Sequence, residues 1–160
     1  VGMLHNNYLS KWYSIQHYLK YLKEANHQGS VVNITSMAGF MPLSRGPHYA
    51  AAFAAVESLT RSMAFVFGHY QLGRINNVAV GFTIGEQNRK LHLKDDGNFT
   101  PRAQEVIANT SQHRFLDTDE IAPHVLYLAD ASLSGAINGA TLRVDGGYGL
   151  IGLEETGYDL

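Results

Sequence analysis

Three short runs of apolar and β-branched residues, near 31–35, 75–80 and 140–144, alternate along this chain with helical patterns, and no other feature narrows its fold as far. Val31-Val32-Asn33-Ile34-Thr35 is introduced by Gly29 and followed by Gly39, the punctuation of a short buried strand. Residues 7–24 predict a helix with Leu9, Trp12, Gln16, Leu19 and Leu22 near one face and Lys11, Lys20, Lys23 and Glu24 on its more polar side. Residues 49–68 predict a long Ala-rich helix. The stretch 85–112 is the least regular, with Asp95-Asp96-Gly97-Asn98 as a turn. Thr118 or Asp119 is placed to cap a helix running to about Ala129, with Asp119 and Glu120 near its positive end. The last strand ends at Asp145-Gly146-Gly147. Such an αβαβαβ order predicts an α/β fold: a parallel sheet, its three strands adjacent in chain order and covered by helices on both faces.

Composition excludes more than it specifies. A chain of 160 residues suits one domain with a real core. A formal net charge of −2 without a basic run argues against a nucleic-acid partner. The absence of cysteine removes disulfide and thiol chemistry and fits a reducing, cytoplasmic compartment. No leader and no apolar run of membrane-spanning length stands out, so no membrane partner is expected. The eight histidines lack metal-ligand spacing, and no metal is assigned.

The most specific local pattern joins the first strand to the second helix. Ser36 closes the strand, a loop with Pro42, Gly46 and Pro47 follows, and Tyr49 opens the helix thirteen positions after the serine. Further along stand Ala54-Ala-Val-Glu-Ser-Leu-Thr-Arg-Ser-Met-Ala64, Arg74-Ile-Asn-Asn-Val-Ala-Val-Gly81, Asp119-Glu-Ile-Ala122, Tyr127-Leu-Ala129 and Leu142-Arg-Val-Asp-Gly-Gly147. In that order and spacing, these segments resemble the short-chain dehydrogenase/reductase (SDR) family, with a pattern like its 3-oxoacyl-carrier-protein reductases. The resemblance covers nearly the whole chain. It implies the C-terminal half of a Rossmann-type doubly wound parallel sheet, residues 1–160 forming one partial domain without the N-terminal Gly-rich half.

The family's chemistry then maps onto named positions. Tyr49 corresponds to the tyrosine that exchanges a proton with the substrate oxygen, and Ser36 to the serine that holds that oxygen. Asn7, five residues before Trp12, matches the asparagine that supports a proton-relay water, with Asn6 as the second choice and a helix N-cap as the structural alternative for Asn7. The cofactor implied is NAD or NADP, and the substrate a small carbonyl compound or alcohol. The family's Tyr-x-x-x-Lys reads Tyr49-Ala-Ala-Ala-Phe53 here. Phe53 lies one helical turn after Tyr49 and places a ring where the ribose-binding cation belongs. A tyrosine without a cationic neighbour is a poor base at neutral pH. Gly81 and Thr83 stand where the nicotinamide end would be met, with Gly85 where the family has threonine.

Gly147-Tyr-Gly149-Leu-Ile-Gly152 follows a strand, but only eight residues come after it, too few for a crossover helix and a second strand. It reads as a tail, and the chain by itself is expected not to bind NAD(P) usefully. Two functions are therefore expected: an SDR-type oxidoreductase with impaired chemistry, or a non-catalytic SDR-like assembly subunit. In either case helices 7–24 and 49–68 resemble the family's dimer-forming pair. Small residues at Ala51, Ala55, Ser58 and Ser62 allow close approach, so a homo-oligomer is expected.

Overall fold

The computed structural model describes residues 2–43 and 45–150. Two compact units emerge, one comprising residues up to Val80 with Asp119–Val144, the other Gly81–Thr118 with the residues from Asp145 onward.

The first unit is built on β1 (Gly29–Ser36), β2 (Gly73–Val80) and β3 (Thr141–Val144), ordered β1-β2-β3. Both pairings are parallel, with Gly29 opposite Gly73, Ser36 opposite Val80 and Val80 opposite Val144. The expected strand positions, order and direction are all observed. Gly73 has φ +113, and a Cβ there would collide with the Gly29 carbonyl, so only glycine lets the two strands start side by side.

Helices cover both faces. On one side α2 (Ser10–Ala25) and α3 (Pro47–His69) pack over the odd-numbered side chains. Ile15 and Leu22 of α2, Leu59, Met63, Ala64 and Phe67 of α3, and Ile75 of β2 form one buried cluster, with Tyr8, Trp12, Tyr18 and Leu19 against it. Fully burying each large apolar side chain of this kind is worth about 1.5–3 kcal/mol. On the opposite face lie α6 (Ala122–Ala129) and α7 (Ala131–Ser134). Ser30 Oγ donates to the Leu128 carbonyl (3.1 Å), Arg74 Nη1 to the carbonyls of Ser134 (2.9 Å) and Ile137 (3.2 Å), and Asn76 Nδ2 to that of Ile137 (2.9 Å).

The buried stripe of the first long helix differs from the expected one. It runs through Tyr8, Trp12, Ile15, Leu19 and Leu22, alternating four and three residues, while Gln16 is exposed and Lys11 half-buried. In the middle of the helix the apolar Ile15, not the polar Gln16, takes the buried position. A short helical turn α1 (Gly2–Leu4) enters α2 through a π-helical turn over His5–Leu9. Asn26, at φ 52, ends α2 with its N–H on the Leu22 carbonyl.

With 23 residues, α3 is long and apolar enough to cross a membrane, although the sequence reading found no such run. Half of its most apolar window is buried within the protein, and Glu57 lies inside that buried face. It is the core helix of the first unit.

The second unit holds α4 (Arg89–His92) and α5 (Pro101–Ala108). A turn at Lys94–Gly97 separates them, at the predicted position, and an antiparallel bridge joins Leu93 to Phe99.

Candidate active site

Ser36 ends β1 in extended conformation, 9% exposed, and its Oγ accepts the N–H of Ala38 at 3.2 Å. That bond bends the chain into a 3-10 turn, Met37–Gly39, which packs on α3. A Cβ built on Gly39 would lie 3.3 Å from the Phe53 carbonyl carbon and 3.4 Å from the Ala54 nitrogen. The residues after the serine are thus seated on the second turn of α3.

Pro47 begins α3, where its missing N–H is harmless, and Tyr49 follows in the first turn. The half-buried Tyr49 meets Phe53 edge to face, with ring centroids 4.7 Å apart and planes at 63°. Phe53 is 6% exposed. An aromatic pair of this geometry adds about 0.5–1.5 kcal/mol beyond its buried area. His48 beside Tyr49 is exposed.

Asn7 lies in the π turn, which packs against α3. Its Nδ2 donates to the Met3 carbonyl at 3.1 Å and sits 2.9 Å from Met3 Sδ, so it caps no helix. π turns are rare and concentrate at functional positions.

One turn beyond Phe53, Glu57 is 3% exposed, and among the described residues no cation pairs with it. Its Oε1 accepts from Thr35 Oγ1 (2.9 Å), and its Oε2 from Asn77 Nδ2 (2.8 Å) and from Thr141 Oγ1. Thr60 Oγ1 donates to Asn77 Oδ1 (2.7 Å), and Asn33 Nδ2 reaches both Thr60 (3.0 Å) and Asn77 (3.2 Å). This seam ties α3 to all three strands, one residue away from Ser36. Sequence reasoning passed over it. The available signal was polar side chains at core positions: Asn33 inside an apolar strand, and Glu57 on the buried face of an Ala-rich helix.

Gly81 and Thr83 belong to the second unit. A Cβ on Gly81 would lie 2.6 Å from Asp145 Cα, so the backbones pass too closely there for any side chain. Thr83 is half-buried and bridges in parallel to Leu116, and its carbonyl accepts from Asn88 Nδ2 at 2.8 Å. Phe82 lies against His92 (6.1 Å) and Tyr148 (5.0 Å). Of the GxGxxG-like tail, Gly147 and Gly149 sit in left-handed turns, and Gly152 lies outside the described residues.

The profile of a family described as enoyl-(acyl carrier protein) reductase matches residues 2–149. The chain belongs to the short-chain dehydrogenase/reductase family. Among its relatives is the oxidoreductase UxuB of Bacillus subtilis, described as uncharacterized, 38% identical over 119 residues, covering 74% of this chain and 42% of that one. A Haemophilus influenza protein provisionally called a D-mannonate oxidoreductase, solved with bound NAD, is 36% identical with a TM-score of 0.71, covering 78% of this chain and 45% of that one. A gluconate 5-dehydrogenase from Burkholderia cenocepacia, solved with NADP and tartrate, is 28% identical with a TM-score of 0.69, covering 83% and 48%. The chain spans about half the length of these relatives.

Proposed function

We propose that the protein is an SDR-type oxidoreductase that interconverts a carbonyl and an alcohol on a small sugar acid, with chemistry slowed at position 53. The observation that carries this reading is the joint seating of the Ser36 turn and the Tyr49 ring on the same short stretch of α3, around Phe53. The sugar-acid class is suggested by relatives named for D-mannonate and gluconate.

NAD(P) exchanges the hydride in this family. The residue at the ribose position does not fit that group, since Phe53 has no donor and its ring is buried against Tyr49. The chain's own part is proton handling. Tyr49 Oη delivers the proton to the oxygen that becomes the alcohol, and Ser36 Oγ donates a hydrogen bond to that oxygen. Asn7 supports the water that returns the proton.

A second reading is favoured by the same Phe53 packing: a non-catalytic subunit that keeps the SDR shape for assembly. In both readings the chain forms a homo-oligomer through α2 and α3. Ala51, Ser58 and Ser62 are exposed on α3, as are Tyr13 and Tyr21 on α2. The discriminating experiment is turnover by the full-length protein of D-mannonate and D-gluconate with NAD+ and NADP+. Oxidation that Tyr49→Phe abolishes supports the enzyme. No turnover above a Tyr49→Phe control supports the assembly subunit.

A further inference from the structure

We propose that His92 and Arg102, in the second unit, form a seat for a carboxylate, the acidic end of a sugar-acid ligand. This rests on the oxidoreductase reading and names the substrate group that is recognised.

Two buried nitrogens, His92 Nδ1 and Arg102 Nε, have no hydrogen-bond partner among the described residues. Buried polar groups are almost always bonded, and leaving one unmet costs about 1–3 kcal/mol, so two in one place call for an occupant. His92 is 2% exposed. Its ring is wedged edge-on between Phe115 (4.9 Å) and Phe82 (6.1 Å), which hinders it from turning to find a partner.

The backbone holds the two residues near each other. The Thr100 N–H donates to the His92 carbonyl (3.0 Å), and Thr100 Oγ1 donates to that of Leu91 (2.7 Å). Thr100 Oγ1 also accepts the Ala103 N–H and so caps α5, whose second residue is Arg102. Burial and then the positive charge of Arg102 hold the His92 imidazole below its ordinary value.

Charge decides what fits. Arg102 is half-buried and makes no ion pair among the described residues. Glu105, one turn further along α5, is exposed and acts electrostatically on Tyr148. A water could bond to Nε or Nδ1 but carries no charge to set against the guanidinium. A carboxylate supplies charge and two acceptor oxygens, the form a guanidinium binds best. Neutral hexitols lack both.

The test is calorimetric titration of the full-length protein, with and without NADH, using D-mannonate and the uncharged D-mannitol. The expected result is mannonate binding weakened at least about tenfold in Arg102→Gln, with less loss in Arg102→Lys. In parallel, the His92 imidazole resonances of the unsubstituted protein should shift with mannonate and not with mannitol, a readout independent of whether the variants fold. Equal affinity for mannitol, an unmoved His92 signal, or no mannonate binding by the unsubstituted protein overturns the seat. Mannonate binding unchanged in Arg102→Gln overturns it too, while leaving the oxidoreductase reading intact. Arg102-dependent binding in a protein that turns over no sugar acid supports the seat and overturns the oxidoreductase reading.

Discussion

Phe53 and Glu57 share one face of α3, a single turn apart, the first packed on the Tyr49 ring and the second hydrogen-bonded to all three strands. A lysine at position 53 would bring a cation to the Tyr49 face. Phe53→Lys in the full-length protein is therefore expected to raise kcat/KM for carbonyl reduction at neutral pH by about a hundredfold or more, the usual scale of acid–base assistance. Steady-state kinetics check this, and Tyr49→Phe in that background should remove the gain. At Glu57 the expected effect is on stability. Glu57→Ala leaves the donors of Thr35, Asn77 and Thr141 buried and unmet, at about 1–3 kcal/mol for each that finds no water. Thermal unfolding should show a loss of several degrees, with Glu57→Gln losing less. The places of Ser36 at the end of β1 and Tyr49 in the first turn of α3 were legible in the sequence, because a spacing between two elements survives as a pattern of letters. The Glu57 seam was not, because its partners lie 20, 22 and 84 positions away and nothing local marks them.

Strands and long helices followed directly from the sequence, since each is set by periodicity and punctuation within a few residues. β1 and β2 extend two residues before the expected starts, to Gly29 and Gly73, whose mutual approach no propensity encodes. The helix expected from Thr118 begins instead as a 3-10 turn over Thr118–Glu120, with α6 proper starting at Ala122. In the second unit, short helices α4 and α5 replace what read as irregular chain, because tertiary packing rather than amphipathic length holds them. His92 connects them and makes this unit acid-sensitive. Its folded pKa lies below the ordinary 6.5, so the unfolded chain binds the proton more readily. Stability from this group is full above pH 6.5 and declines as pH falls from there towards the lower folded value. Hydrogen exchange over residues 101–108 should accelerate between pH 7 and pH 5.5 after correction for intrinsic rates. His92→Leu should flatten that dependence.

Across the whole molecule, apolar surface is left open on several elements. Phe65 is 71% exposed on α3, Leu126 69% on α6 and Leu133 64% on α7. The outer edge of β1 has no strand partner among the described residues. Surfaces and edges of this kind favour association. The full-length protein is expected to run as a dimer or larger by light scattering at micromolar concentration, and Phe65→Asp should shift it towards the monomer if the α3 face is the contact.

The hydrogen-bonded seam has a further consequence, for inheritance. Because Glu57 clamps α3 to three strands, its position does not depend on what stands at 53. The residue one turn before the clamp is thus free to vary across a lineage while every strand keeps its register.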